Sequence, residues 1–230
     1  MAQRSVLVTG GAGGLGGAVT ATFLAAGWRV VVPERQSRPG SEPAADGLVR
    51  LTADLSDPAG AARVVEAATA DAAAPLRAVV NLVGGYAGGG LVHETPVEEF
   101  ERMLTVNLRP TYLVTQAALP HLVAAGGGAV VCVSSRAAVA PFPGAAGYVT
   151  AKAAVLAFAN AVAVEYRSRN VRCNTVLPSV IDTPANRTAQ PDADHSRWVS
   201  PAEIAPVIHF LASAESAPTS GATVPVYGRA

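Results

Sequence analysis

Two cysteines, four histidines and a balance of 17 basic against 17 acidic residues leave several classes of function without material. Cys132 and Cys173 stand apart, without Cys-x-x-Cys spacing, each in an apolar, strand-like run. Buried reduced thiols are the expectation. His93, His121, His195 and His209 are scattered without metal-ligand spacing, so no metal site is expected. Charged residues make up 15% of the chain and include no basic run, which leaves a nucleic-acid surface without support. No stretch reaches the roughly 18 uninterrupted apolar residues of a membrane span, and no signal-like segment precedes the first strand run. A soluble, cytoplasmic protein with neither membrane nor nucleic-acid partners is the expectation.

What the chain has in quantity is apolar surface. Half of its 230 residues are hydrophobic, ample for a large core, and nothing in the composition marks an internal boundary. Residues 1–230 therefore read as a single domain. Short apolar runs at 5–9, 29–32, 49–52, 78–83, 129–133, 171–177 and 223–226 read as strands. Helical patterns fall between them, at 18–26 with Gly27 as a stop, from Asp57-Pro58 to about 73, over 96–124, around 147–168, and over 201–213. Pro110 and Pro120 predict irregularities in the long helix. Uniformly apolar strands alternating with helices predict an α/β fold, a doubly wound, Rossmann-like, seven-stranded parallel sheet covered on both faces. Segments 36–47 and 181–200 read as loops, and the second is placed to cover a substrate beyond the carboxyl ends of the strands.

Three patterns carry chemistry. The turn Thr9-Gly10-Gly11-Ala12-Gly13-Gly14-Leu15-Gly16 follows the first strand and opens the first helix, where glycines let backbone N–H groups approach a pyrophosphate. Away from that setting the same residues would be only a flexible loop. Glu34 closes the second strand, where a carboxylate accepts from ribose hydroxyls and repels a 2′-phosphate. NAD(H) is therefore favoured, with NADP(H) the alternative that the neighbouring Arg35 leaves open. Asp54 closes the third strand, as an adenine contact or a plain turn residue. Tyr148 and Lys152 lie four residues apart, on one face of a helix, and Ser135 lies thirteen residues before the tyrosine. A phenol titrates near pH 10, and an adjacent ammonium favours its ionised form. A serine hydroxyl nearby would hold a substrate oxygen. Taken alone, the tyrosine–lysine step also fits a core tyrosine beside a solvated lysine.

Together these residues resemble the short-chain dehydrogenase/reductase family over nearly the whole chain. Thr9, Gly10, Gly14 and Gly16 match its Thr-Gly-x-x-x-Gly-x-Gly turn, and Asp54 falls at its adenine-contacting aspartate. Asn107 matches a helix asparagine that organises a lysine-bound water and a proton relay. Ser135, Tyr148 and Lys152 match the catalytic serine, tyrosine and lysine, and Pro178 and Thr183 the segment that touches the nicotinamide. By that resemblance Lys152 also holds the nicotinamide ribose, and Leu15, Leu55, Asn81, Gly84 and Ile181 join the cofactor contacts. Two departures stand out: Asn81-Leu82-Val83-Gly84 replaces Asn-Asn-Ala-Gly, and Ser179 replaces a glycine after Pro178. Gly84-Gly85-Tyr86-Ala87-Gly88-Gly89, and Leu177-Pro178 followed by Asp182-Thr183-Pro184-Ala185-Asn186-Arg187 with Pro191, Ala193-Asp194, Ser196 and Trp198, further resemble dihydropteridine reductase, which lacks the catalytic serine.

The resemblance implies reversible hydride transfer between a nicotinamide and a carbonyl or secondary alcohol, with Tyr148 as general acid/base. Reduction of a quinonoid pterin and a non-catalytic nicotinamide sensor are the alternatives. A methyltransferase would have no use for the tyrosine–lysine step, and the longer epimerase relatives carry a substrate domain for which no length remains. Tyr86, His93, Phe142, Pro143, Asn186, Arg187 and Trp198 are candidate substrate contacts. A homodimer or homotetramer through helices 96–124 and 147–168 is the implied assembly.

Overall fold

A computed structural model describes residues 4–36 and 45–229. Seven strands, β1 (Ser5–Thr9), β2 (Arg29–Glu34), β3 (Leu48–Thr52), β4 (Leu76–Asn81), β5 (Gly128–Val133), β6 (Val171–Pro178) and β7 (Thr223–Val226), form one sheet in the order β3-β2-β1-β4-β5-β6-β7. Every pairing is parallel. The helices are α1 (Gly14–Ala25), α2 (Pro58–Thr69), α3 (Val97–Asn107), α4 (Arg109–Ala124), α5 (Ala146–Glu165), α6 (Pro184–Ala189) and α7 (Pro201–Ala212). Parallel strands need crossovers, and the helices that supply them cover both faces.

The strand pleat divides the core in two. Leu7, Val79, Val130 and Cys173 face the layer of α2, α4 and α5, where Val64, Val114, Leu122 and Val155 meet them. Val6, Val8, Val80 and Val131 face the other way, onto Val19 and Phe23 of α1 and Ile204, Ile208 and Leu211 of α7. Both cysteines are free and buried, as expected. Chain order reverses between β1 and β4, and this opens a crevice at the carboxyl ends of those strands.

The structure shifts several boundaries. α1 begins at Gly14, inside the glycine cluster, because the turn closes within four residues through the bond from Gly13 N–H to the Gly10 carbonyl (3.0 Å). β2 continues through Pro33 and Glu34. Its ladder with β1 has ended at Val31, so Pro33 removes no donor that β1 requires. The long helical pattern breaks at Leu108 into α3 and α4, just before Pro110, whose missing N–H cannot continue the ladder. Pro120, by contrast, stays inside α4. The segment 181–200 is not structureless: α6 lies within it, and Ile181 bridges to Val199. Of the loop expected at 36–47, residues 37–44 lie outside the described residues.

Among the described residues one helix, α5, is long and apolar enough to cross a membrane by length and composition alone. In this fold it packs along β6 and α3.

Candidate active site

Two turns meet at the crevice. After β1, Gly10 adopts φ +70°, a conformation open to glycine at little cost, and a Cβ there would come within 3.2 Å of the Val83 backbone after β4. Gly16 is more constrained, since its Cβ would lie 2.0 Å from the Gly10 carbonyl oxygen. The first turn of α1 therefore packs flush against the loop that precedes it. Among the described residues no side chain caps α1, which leaves its start open to an outside acceptor. A Cβ at Gly14 would lie 2.7 Å from Thr183 Cγ2, so the segment after β6 closes over the same turn. Thr183 caps α6 by accepting from Asn186 N–H at 3.2 Å. A glycine cradle at an uncapped helix start, beside a strand end, fits the pyrophosphate of a dinucleotide.

Thr9 ties the two strand ends together, its hydroxyl accepting from Leu82 N–H at 3.1 Å. Asn81 turns its side chain inward, donating to Thr115 Oγ1 at 3.0 Å, and Leu55 buries its side chain in the core. These two predicted positions can therefore offer only backbone to a cofactor. Asp54 is exposed, and bonds from Ser56 hold its carboxyl below the usual range. Pro178 ends β6 opposite Val226.

Glu34 is buried and ion-paired with Arg50 of β3, not with Arg35, which is exposed. Val32 lies opposite Arg50 and Glu34 opposite Thr52, a two-residue offset within reach of a long side chain. Arg50 is a residue that the linear pattern could not single out, because its partnership depends on strand register.

The catalytic candidates converge from three elements. Ser135 follows β5 and accepts from Ala137 N–H at 3.2 Å, which fixes its hydroxyl at the head of a short 3-10 turn. Tyr148 and Lys152 occupy the first two turns of α5. Asn107, at the end of α3, is fully buried; its Oδ1 accepts from Gly85 N–H at 3.1 Å and its Nδ2 donates to the Gly85 and Met103 carbonyls. Gly84 is the point where Asn107 and Lys152 meet. A Cβ there would lie 2.6 Å from Asn107 Oδ1 and 3.0 Å from Lys152 Nζ. Ser134, passed over in the sequence, donates to the Lys152 carbonyl at 2.7 Å and ties α5 to the end of β5, beside Ser135. Its adjacency to Ser135 was the only available signal.

Lys152 Nζ donates to the Val133 carbonyl at 3.2 Å and lies 5.9 Å from the centroid of the Tyr148 ring. Burial pushes its pKa down to about 8. The Tyr148 phenol is raised, chiefly by burial, while the nearby Ser135 hydroxyl works in the opposite direction. The expected lowering of the phenol by Lys152 is therefore absent in this arrangement. The ammonium is directed at the strand carbonyl, and desolvation of the phenol prevails.

Lys152 is the only lysine in the chain, which makes it directly measurable. Titration of its isotopically methylated amine by NMR should give one side-chain signal with a midpoint near 8, well below a free lysine. A midpoint at the ordinary value of about 10.4 would contradict the burial seen here. The sign is that of a desolvated base: the ammonium prevails below pH 8 and is lost above it.

The substrate candidates divide. Tyr86 meets the Tyr148 ring edge-on at 5.1 Å, and Phe142 lies 6.4 Å from Tyr86, so an aromatic wall rises beside the phenol. Four of the remaining five make their described contacts elsewhere. His93 sits on an outer turn beside Glu94, Asn186 is held by the Ile181 carbonyl, Arg187 pairs with Asp182 through two bonds of 2.5 and 2.8 Å, and Trp198 stacks on His195.

The chain matches the family model described as short chain dehydrogenase over residues 4–194. It is 33% identical to the 2-(R)-hydroxypropyl-CoM dehydrogenase of Xanthobacter autotrophicus, with 98% of each chain covered. Identity to the mouse (3R)-3-hydroxyacyl-CoA dehydrogenase is 32%, over 96% of this chain and 94% of that one. Its fold superimposes on the 3-ketoacyl-(acyl-carrier-protein) reductase of Brucella melitensis, solved as a complex with NADH, with a TM-score of 0.86, 27% identity and 98% of both chains covered. The parallel sheet, the glycine turn and these likenesses agree: the chain belongs to the short-chain dehydrogenase family and is an oxidoreductase of the CH–OH/C=O class.

Proposed function

We propose that this protein interconverts a carbonyl and a secondary alcohol, using a nicotinamide dinucleotide, with Tyr148 as general acid/base. The observation that carries this reading is the convergence of Ser135, Tyr148 and Lys152 beside Gly84 and Asn107, at the mouth of the β1–β4 crevice. When bound, the dinucleotide would supply or accept the hydride. Thr9, Gly10, Gly14, Leu15 and Gly16 would hold its pyrophosphate, Glu34 and Asp54 its adenosine half, and Pro178, Ile181, Thr183 and Lys152 its nicotinamide half.

In the reducing direction Tyr148 gives its proton to the substrate oxygen, and the high phenol pKa keeps that proton in place at neutral pH. Ser135 donates a hydrogen bond to the same oxygen and steadies the charge that develops there. Lys152 and Asn107 form the route by which the proton is replaced. The aromatic wall of Tyr86 and Phe142 gives the substrate an apolar side. In the oxidising direction the same phenol must first lose its proton, so activity should rise with pH.

NAD(H) is the proposed cofactor, on the strength of the buried carboxylate of Glu34. The Arg50 pair offsets part of that negative charge, which leaves NADP(H) as the alternative. Calorimetric titration should show tighter binding of NADH than of NADPH, and the reverse order would overturn the assignment. A screen for NADH oxidation over ketones, quinones and quinonoid dihydropterins, repeated in the alcohol direction, tests the function itself. Turnover confined to the dihydropterins would favour the pterin reading, which Ser135 and the carbonyl- and alcohol-directed relatives argue against. No hydride transfer with any of them would favour a sensor.

The proposed setting is a cytoplasmic, single-domain homodimer or homotetramer, with segment 181–200 over the substrate. Tyr112 of α4 and Val164 of α5 are exposed large apolar side chains on the two helices proposed for assembly. Light scattering should give a mass of two or four chains, and a stable monomer would defeat that interface.

A further inference from the structure

The end of the sheet opposite the crevice holds a cleft of about 730 Å³. Its walls come from segments distant in sequence: the residues just before β1, β4 and β7, the starts of β5 and β6, and the turn after α7. Among the described residues four arginines line it, Arg4, Arg77, Arg167 and Arg172, and no aspartate or glutamate does. Among the described residues none of the four is ion-paired, although the chain as a whole is neutral.

The four guanidinium groups are held in different ways. Arg172 donates to the Leu211, Ser213 and Thr219 carbonyls and to Ser216 Oγ at 2.7–3.2 Å. Arg77 donates to the Ala125 and Gly127 carbonyls at 2.5 and 3.1 Å. Arg4 lies over the Trp28 ring, 4.2 Å from its centroid. The Arg167 guanidinium makes no hydrogen bond with a described residue. All the acceptors are neutral, so no hydrogen bond in the cleft offsets the positive charge gathered here, and burial lowers the pKa of Arg172. Guanidinium forks match phosphate oxygens, and forks already pinned lose little freedom on binding. The volume lies within the range of small-ligand sites.

We propose that this cleft is a second binding site, for a small phosphate-bearing anion, separate from the dinucleotide crevice and able to be filled together with it. Arg77 and Arg172 form its fixed floor, and Arg4 and Arg167 are the arms that close on the anion.

The test uses inorganic pyrophosphate as the probe, at constant ionic strength, titrated calorimetrically into protein already saturated with NADH. Saturable binding is expected. The Arg4→Gln/Arg167→Gln variant, which leaves both backbone clamps intact and should keep its circular dichroism, is expected to bind about tenfold more weakly or worse, as loss of charge-assisted hydrogen bonds implies. In a Trp198→Phe background Trp28 is the one remaining tryptophan, and its emission should change as Arg4 turns from the ring to the anion. Absence of saturable heat at millimolar pyrophosphate would overturn the proposal, as would unchanged affinity in the folded double variant. Heat that NADH abolishes would place the anion in the glycine turn and would equally defeat the cleft.

Discussion

Tyr148→Phe should lower turnover by about 10²–10⁴-fold, the range that a positioned general acid contributes, while nucleotide binding stays within about threefold. The structure makes this substitution unusually clean. Phenylalanine keeps the ring that Tyr86 meets edge-on at 5.1 Å, so the aromatic wall stands. Lys152 is anchored through the Val133 carbonyl and Ser134 through the Lys152 carbonyl, and neither bond passes through the phenol. What disappears is the hydroxyl, the influence of Ser135 on it and the proton it carries. Steady-state assays on the best substrate from the screen, with NADH affinity measured separately, check both halves of the expectation. Near wild-type turnover would refute the role of Tyr148, and a matching collapse in NADH affinity would mean that the variant had damaged the site rather than the chemistry.

Gly16→Ala is expected to have the other large effect, and to act on binding. The added methyl would sit 2.0 Å from the Gly10 carbonyl oxygen and 2.6 Å from Gly11 Cα, both backbone atoms that cannot rotate aside. The start of α1 must therefore move by more than 1 Å relative to the turn. A displacement of that size at a positioning element costs on the order of 100-fold, so NADH affinity should fall by about that factor. The buried face of α1, with Val19 and Phe23 against α7, is untouched, and the fold should survive. Calorimetry of NADH binding alongside a thermal melt distinguishes the outcomes. Affinity within a few fold of wild type would show that the turn does not carry the pyrophosphate.

The glycine turn shows how far local sequence carries. Its function in the backbone was legible because glycines between a strand and a helix have few other uses, yet its boundary was not. The expected helix start at residue 18 assumed that glycines do not belong in helices, whereas close packing of α1 against Gly10 requires one there. The break between α3 and α4 was legible in kind, as an irregularity at Pro110, because a missing N–H is a local property. Arg50 was not legible at all. Nothing along the chain links it to Glu34; only the register of β2 against β3 brings the cation within reach of the carboxylate. The interaction of Lys152 with Tyr148 was legible as a spacing and misjudged as an effect. The four-residue step places both on one helical face, but whether the ammonium bonds to the phenol or to a strand carbonyl depends on where β5 ends.

The amino-acid sequence by itself determined the alternation of apolar strands and helices, the turn that can approach a pyrophosphate, and the residues able to move a proton. Those properties reside in neighbours a few positions apart, where sterics, periodicity and side-chain chemistry act directly. The tertiary structure alone decided what surrounds each charge. It buried Glu34 against Arg50, set Gly84 between Asn107 and Lys152, drove the phenol and the ammonium toward their neutral forms, and gathered four arginines at the far end of the sheet. The reason is that desolvation and charge pairing depend on distances across strands and crossovers, and those distances exist only once the sheet has formed.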